Sequence, residues 1–245
     1  LQLGTGGRLV VDGGREEGPG ATPPADPAAL TCDSKGVCAL IITHVHREHV
    51  GRIRALLAAG DRGPILCSEP SAKLLPLVLE DAYRLGISSD PAHVSKYLEL
   101  VSTLLVPLPF EQWHTVLEQP DISCRVRLQR AGHLLGSAYV ECDIQYGQTS
   151  RRYVFSGDLG AGNNPLLRPL QPPERADVLV LESTYGDRLN PEPSDRVHRL
   201  EAAIDRALAD QGTILLPAFS LRRTQELLYA LEEVLYRTAL LRRPG

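Results

Sequence analysis

Methionine is absent from the sequence, and aromatic side chains are few, with one tryptophan and three phenylalanines. No apolar run approaches the eighteen or more residues that a membrane-spanning helix needs, so we expect no involvement of a membrane. The chain does not begin with a basic stretch followed by an apolar one, so a secretory signal is not expected. Because methionine is missing even at position 1, we expect a piece of a longer protein or a chain that lacks some positions.

Cysteine and positive charge are also limited. The five cysteines are odd in number and include no Cys-x-x-Cys pair, which argues against a disulfide framework and against a cysteine-type zinc site. They predict reduced, mostly buried thiols in a cytoplasmic protein. The net charge of −4 excludes a generally basic nucleic-acid binder. Any site for a polyanion must therefore be local, or be built by metal ions.

A dense group of histidines follows the apolar run 39–42. His44, His46 and His49 lie within six positions, together with Glu48. Three imidazoles so close together would repel one another if protonated and would gain nothing from packing. Neutral imidazole nitrogens and carboxylate oxygens are, however, the ligands that zinc accepts in an open catalytic site. The group therefore predicts a metal site.

The rest of the chain alternates between strand-like and helix-like segments, which predicts an α/β fold with sheets sandwiched by helices. Strands are predicted at residues 8–11, 39–43, 64–67, 124–128, 138–146, 152–155, 177–182 and 213–216. Helices are predicted at residues 48–59, 68–86, 91–105, 194–210 and 221–236. A loop rich in glycine, proline and alanine is predicted to end near residue 29.

Further candidate residues occur where predicted strands stop, which is where α/β folds assemble their sites. His133 follows strand 124–128, Asp158 follows strand 152–155, and Glu182 ends strand 177–182. Each signal is weak alone, since a Gly-Asp pair is most often only a turn. Their recurrence at strand ends is the stronger observation and favours a functional role.

Four segments carry short motifs: 44–49 (HVHREH), 131–138 (AGHLLGSA), 155–160 (FSGDLG) and 182–188 (ESTYGDR). In this order they resemble the motifs of the β-CASP group of metallo-β-lactamase-fold nucleases, which includes the mRNA 3′-end cleavage subunit and ribonuclease J. Residues 217–228 (PAFSLRRTQELL) resemble the opening of the inserted β-CASP domain. The resemblance implies an αββα sandwich, with a metallo-β-lactamase domain at 1–185 and an incomplete β-CASP domain at 186–245.

The resemblance also implies a function, namely a zinc-dependent ribonuclease that hydrolyses RNA phosphodiester bonds by a metal-activated hydroxide. Two zinc ions are expected. The metal ligands implied are His44, His46 and His133 for the first zinc, His49 and Glu48 for the second, and Asp158 as a bridge.

Asp12 would support the histidine loop from behind, and Glu182 would be an acidic residue near the site. The catalytic residues implied are Asp158, Glu182 and Glu48. The expected partner is an RNA substrate, and a homodimer is allowed.

Departures from the family pattern leave alternatives open. The family has Asp where this chain has Glu48, and the extra methylene is expected to displace or weaken the second zinc. The later family histidines have no counterpart, because His93, His114 and His198 lie outside the motifs and are interpreted as surface or packing residues. We therefore expect the 245 residues alone to bind zinc but to cleave RNA poorly.

The alternatives are a non-catalytic or degenerate paralogue that binds RNA or a partner, and a small-molecule metallo-hydrolase of the same fold. The matches at Glu182 and at 217–226 argue against the small-molecule hydrolase, since the resemblance implies that such members lack the insertion.

Overall fold

Two five-stranded sheets are present in the computed structural model, which describes residues 1–4, 7–14, 36–160, 162, 164–189, 195–210, 212–218 and 221–241. The described residues fall into two units. One contains Leu1–Ala161 and Pro169–Glu182, and the other contains Gly162–Arg168 and Ser183–Gly245. Both sheets belong to the first unit.

The first sheet is mostly parallel. Its strands, in spatial order, are β1 (Gln2–Leu3), β2 (Gly7–Val11), β3 (Val37–Ile41), β4 (Ile65–Ser68) and β5 (Leu105–Leu108). Only β1 and β2 pair antiparallel. Because β2 and β3 run the same way, the residues that follow them meet at one edge, where Asp12 N donates to Ile41 O at 2.8 Å.

The second sheet is mostly antiparallel. Its strands are β6 (Trp113–Gln119), β7 (Ile122–Arg130), β8 (Ala138–Tyr146), β9 (Thr149–Phe155) and β10 (Val178–Val180), in the spatial order β10-β9-β8-β7-β6. Only β9 and β10 pair parallel. Ala138 N donates to Thr43 O at 2.8 Å, which joins the start of β8 to the chain just after β3.

The hydrophobic core lies between the two sheets. Leu9, Ile41 and Leu66 of the first sheet belong to the same buried cluster as Val126 and Val140 of the second. Along β7, buried residues alternate with more exposed ones, as expected of a strand with one face on the core. Each fully buried aliphatic side chain contributes about 1.5–3 kcal/mol, so this cluster fixes the sheet edges that carry the site.

Four helices connect the strands of the first sheet: α1 (Arg47–Val50), α2 (Ile53–Ala58), α3 (Glu69–Gly86) and α4 (Pro91–Leu104). The Ser68 hydroxyl caps α3 by accepting from Ser71 N at 3.2 Å. The Asp90 carboxylate caps α4 by accepting from Ala92 N at 2.8 Å. Helix α3 contacts β4 and β5, so the first sheet has helices against it.

The second unit contains α5 (Arg196–Asp210) and α6 (Arg223–Leu241), which contact each other. Among the described residues, no helix is both long enough and apolar enough to cross a membrane.

The α/β fold class with two stacked sheets is confirmed, and several element bounds are corrected. The helix predicted at 48–59 is two short helices separated at Gly51 and Arg52. Strand β6 was not predicted, because it is an edge strand with mixed polar residues that pairing with β7 holds in place. It places His114 in a strand rather than in a helix or loop.

The strand predicted at 213–216 is wrong, since those residues have no strand partner among the described residues and the Ile-Leu-Leu run is exposed. The strand predicted at 177–182 is shorter and spans only Val178–Val180. The helix predicted to reach residue 105 ends at Leu104, where β5 begins. The glycine-rich loop, Cys32 and residues 219–220 lie outside the described residues.

Candidate metal centre

The histidine group is held at the edge of the first sheet by the end of β3. Just after β3, Ile42 N continues the pairing with β4 by donating to Leu66 O at 2.8 Å. The chain then turns, and α1 begins at Arg47. His44 is fully buried, His46 is partly exposed, and His49 lies on α1. The buried strand therefore fixes the position of the first histidine.

A second loop, between β7 and β8, brings in His133. The Ser137 hydroxyl accepts from His133 N at 2.9 Å and from Leu134 N at 3.1 Å. Gly136 has a φ of 88°, and its carbonyl oxygen accepts from Ser68 Oγ at 2.6 Å. A Cβ on Gly136 would lie 2.7 Å from Ser71 N, so only glycine fits this contact with the start of α3.

A third loop, after β9, brings in Asp158. Gly157 has a φ of 52°, and a Cβ there would lie 2.7 Å from the Thr43 side chain. Glu182 secures this loop from the strand beyond, because its Oε1 accepts from Leu159 N at 2.6 Å. Its own N donates to Ser156 Oγ at 2.9 Å. The structure therefore places Glu182 behind the loop that presents Asp158.

Four side chains from the three loops converge on one small volume. His44, His46, His133 and Asp158 each offer one ligand atom, and all of these atoms lie within 4.8 Å of one another. His46 Nδ1 lies 3.2 Å from His44 Nε2 and 3.3 Å from His133 Nε2. Asp158 Oδ2 lies 3.7 Å from His44 Nε2 and 3.5 Å from His133 Nε2.

This group fits a metal ion. Three ring nitrogens that face one another cannot all be satisfied by hydrogen bonds among themselves, because each neutral imidazole has a single N–H. A cation at their centre would accept all three lone pairs and offset the Asp158 charge. Three imidazoles with a carboxylate is a donor set that suits zinc, although imidazole also suits copper, iron and nickel.

His49 lies on the other side of Asp158. Its Nε2 is 3.2 Å from Asp158 Oδ1, and its Nδ1 is 2.8 Å from Asp12 Oδ2. A histidine held by a carboxylate through one nitrogen while the other faces the site is the usual arrangement of a metal ligand. Asp158 thus faces His44 and His133 with one oxygen and His49 with the other.

Glu48 is the predicted ligand that the structure places least firmly. Its Oε1 lies 3.6 Å from His46 Nδ1, and its side chain is 43% exposed. It is not among the four residues that share the small volume. Among the described residues, the 3.6 Å approach to His46 is the only charged contact of this exposed carboxylate, so the described part of the chain does not hold it in the site.

Asp12 follows β2 and contacts the chain directly before the histidine group. It has a φ of 57°, which is uncommon for a residue other than glycine. Its Oδ1 accepts from Thr43 N at 2.8 Å, and its Oδ2 accepts from Thr43 Oγ1 at 2.7 Å. Sequence reasoning gave Thr43 no role, and the only available signal was a hydroxyl residue directly before the first histidine.

The charges of the site are strongly perturbed in the metal-free protein. Burial and the neighbouring His49 and His133 lower the pKa of His44 to about 2, so its ring stays neutral. Burial also opposes protonation of His49, but hydrogen bonds to Asp12 and Asp158 outweigh it and raise its pKa to about 10. The hydrogen bond from His49 in turn holds the pKa of Asp158 at about 2.

The histidines outside the motifs lie on elements that do not carry the metal group. His93 is on α4, His114 is on β6 and His198 is on α5. His93 and His198 are exposed, each with a neighbouring carboxylate of its own helix within 4.0 Å.

Comparison with known proteins gives one family and several relatives. Residues 1–215 match the family model of the metallo-beta-lactamase superfamily. A protein named ribonuclease TTHA0252 from Thermus thermophilus is 33% identical over 231 residues, covering 94% of this chain and 51% of the relative. A transcription termination factor, FttA, from Cenarchaeum symbiosum is 31% identical over 241 residues, covering 92% of this chain and 35% of the relative.

An RNase J-like protein from Methanocaldococcus jannaschii is 26% identical over 227 residues, covering 91% of this chain and 48% of the relative. This chain therefore spans about a third to a half of the length of these relatives.

Proposed function

Because the chain belongs to the metallo-beta-lactamase superfamily, we propose that it is part of a zinc-dependent ribonuclease of the β-CASP group. The observation that carries the proposal is the convergence of His44, His46, His133 and Asp158 within 4.8 Å. Names of similar proteins, ribonuclease TTHA0252 and RNase J-like protein, support RNA as the substrate.

Each side chain has an assigned role in this proposal. His44, His46 and His133 would hold the first zinc, His49 and Glu48 would hold the second, and Asp158 would contribute to both sites. When bound, two zinc ions supply Lewis-acid activation of water and stabilise charge on the attacked phosphodiester. The position of Asp158 between His49 on one side and His44 and His133 on the other supports a bridging role.

The chain's own groups prepare the site. Asp12 fixes Thr43 and His49 by three hydrogen bonds of 2.7–2.8 Å. Glu182 holds the backbone of the Asp158 loop through Leu159 N, which supports a positioning role for Glu182 in addition to the catalytic role that the resemblance implies. The nitrogen of His49 that faces Asp158 carries its proton in the metal-free protein and must release it before it can bind a metal.

The proposed domains are the metallo-β-lactamase part at 1–185 and the start of the β-CASP part at 186–245. A division of the described residues near Glu182 supports this boundary, although residues 162–168 group with the second unit. The unpaired thiols of Cys67, Cys124 and Cys142, all buried, support a reducing compartment such as the cytoplasm.

The test is cleavage of a labelled single-stranded RNA by the protein, with and without a chelator. From these 245 residues alone we expect slow cleavage that the chelator abolishes and that added zinc restores. Asp158→Asn and His46→Ala should each abolish cleavage, whereas Asp81→Asn, on the exposed part of α3, should leave it unchanged. Cleavage that continues after complete removal of metal would contradict the proposal.

The second candidate is a protein of the same fold that binds RNA without cleaving it. The observation that favours it is the placement of Glu48, which is exposed and outside the four-residue group. In that case the protein would hold one zinc and bind the labelled RNA, but no cleavage would be detected with zinc present.

A further inference from the structure

Thr43 occupies a fixed, buried position between Asp12 and His44. It is 1% exposed, its N donates to Asp12 Oδ1 at 2.8 Å, and its carbonyl oxygen accepts from Ala138 N at 2.8 Å. Its hydroxyl oxygen lies 2.7 Å from Asp12 Oδ2 and 3.0 Å from His44 Nδ1. The side chain therefore connects a carboxylate to the first histidine of the metal group.

The hydrogen atoms in this chain of contacts can be placed from chemistry alone. A carboxylate can only accept hydrogen bonds, and a hydroxyl has one hydrogen to donate. The Thr43 hydroxyl must therefore donate to Asp12, and its oxygen can only accept from His44. The single hydrogen of neutral His44 then lies on Nδ1, which leaves the lone pair of Nε2 toward His46 and Asp158.

We propose that Thr43 is a positioning residue that fixes the tautomer of His44, so that Nε2 is the nitrogen available to the metal. Asp12 Oδ2 thereby orients two histidines, His49 by direct contact and His44 through the Thr43 hydroxyl. This inference rests on the metal site of the proposed function. It does not depend on which substrate the protein cleaves.

Loss of the hydroxyl has a defined consequence. Valine has nearly the shape of threonine but cannot accept from His44 Nδ1, which is buried with the rest of its side chain. In Thr43→Val the His44 ring would be left with an unpaired N–H on Nδ1, or its hydrogen would move to Nε2, where it would oppose metal binding. Serine keeps the hydroxyl and would preserve the hydrogen-bonded chain.

The experiment compares zinc affinity, measured by competition with a chromophoric chelator, in wild type, Thr43→Val and Thr43→Ser. Thr103→Val is the matched control, because the exposed Thr103 hydroxyl donates to Leu100 O at 2.8 Å within α4. We expect Thr43→Val to lose about tenfold to a hundredfold in affinity. Thr43→Ser and Thr103→Val should bind zinc nearly as wild type does.

Equal zinc affinity in wild type and Thr43→Val would overturn the proposal, and so would an equal loss in Thr43→Val and Thr43→Ser. Circular dichroism of each variant shows whether it is folded. If Thr43→Val does not fold, the ring ¹⁵N shifts of His44 in metal-free wild type decide the question. Hydrogen on Nδ1 is expected, and hydrogen on Nε2 would overturn the proposal. A wild type that binds no zinc would refute the proposed function, while the ring shifts would still test Thr43.

Discussion

At the scale of single residues, Asp12 shows how one side chain can organise a site made from separate strands. It follows β2, yet it bonds the backbone and hydroxyl of Thr43 and the ring of His49. A non-glycine residue with a φ of 57° costs of order 1 kcal/mol, which these three hydrogen bonds offset. The sequence shows an aspartate at a strand end, but the partners it joins are 31 and 37 positions away.

Two histidines of the site predict opposite pH dependences of stability in the metal-free protein. His44 resists protonation when folded, whereas the unfolded chain takes up a proton below about pH 6.5. The free energy of unfolding should therefore fall as the pH drops from 6.5. His49 keeps its proton when folded up to about pH 10, whereas the unfolded chain releases it above 6.5. Stability should therefore also fall as the pH rises from 6.5, by at most about 1.4 kcal/mol per pH unit.

Denaturant unfolding of chelator-treated protein between pH 5 and 8.5 measures this dependence. The upper limit lies below the ordinary thiol pKa of 9.0, above which the unfolded chain loses protons that the buried thiols keep in the folded state because burial raises their pKa. The alkaline loss should be much smaller in His49→Gln and unchanged in His93→Gln. An alkaline loss that is the same in wild type and His49→Gln would show that His49 does not hold its proton in the folded state.

Glu48 carries the second prediction at the residue scale. Its carboxylate reaches toward His46, which belongs to the first metal group, and is largely exposed. Aspartate is shorter by one methylene, so in Glu48→Asp we expect the carboxylate to stay nearer to His49. Zinc content after dialysis should rise toward two ions per chain, and RNA cleavage should become faster. Glu80→Asp, on α3, is the matched control. No change in either zinc content or rate would mean that position 48 is not a ligand.

At the scale of elements, the site depends on three loops that approach one another closely after β3, β7 and β9. Gly157 and Gly147 form a natural comparison, since both have a φ of 52°. A Cβ at Gly157 would lie 2.7 Å from Thr43, whereas a Cβ at Gly147 would meet nothing within 4 Å. Gly147→Ala therefore measures the conformational cost of a positive φ alone, whereas Gly157→Ala adds the steric cost of the contact with Thr43.

We expect Gly147→Ala to lose about 1 kcal/mol of stability, from the positive φ alone, and to bind zinc normally. Gly157→Ala should lose about 2–4 kcal/mol and most of its zinc affinity, because the Asp158 loop must move away from Thr43. Denaturant unfolding and chelator competition measure the two quantities. Equal results for the two variants would show that contact with Thr43 does not hold the loop.

The elements also show what the sequence could predict. The buried strand before His44 has a strong local signal and was predicted close to its position, as were the strands that His133 and Asp158 follow. Strand β6 has no apolar run, and only its pairing with β7 makes it a strand. The break between α1 and α2 could not be read from helical periodicity, because Gly13 O accepts from Arg52 N, a contact distant in sequence. Thr43 was missed for the same reason, since its role depends on Asp12.

At the scale of the whole molecule, charge limits how the proposed RNA substrate could bind. The chain has a net charge of −4, and Asp12, Asp158 and Glu48 add negative charge at the site itself. Phosphate groups should therefore be repelled from the metal-free site. Two zinc ions would supply four positive charges, equal in size to the net charge of the chain, and would place them where the phosphodiester must bind.

We therefore predict that RNA affinity depends on metal. A labelled single-stranded RNA with non-cleavable linkages should bind the zinc-loaded protein at least about tenfold more tightly than the chelated protein, as measured by fluorescence anisotropy. His46→Ala should bind as weakly with zinc as without it, because its first zinc site has lost a ligand. His93→Ala changes an exposed side chain on α4 and should keep the full dependence of RNA affinity on zinc. Equal RNA affinity of zinc-loaded and chelated wild type would mean that RNA binds through another surface, and that the metal serves the reaction without drawing the substrate to it.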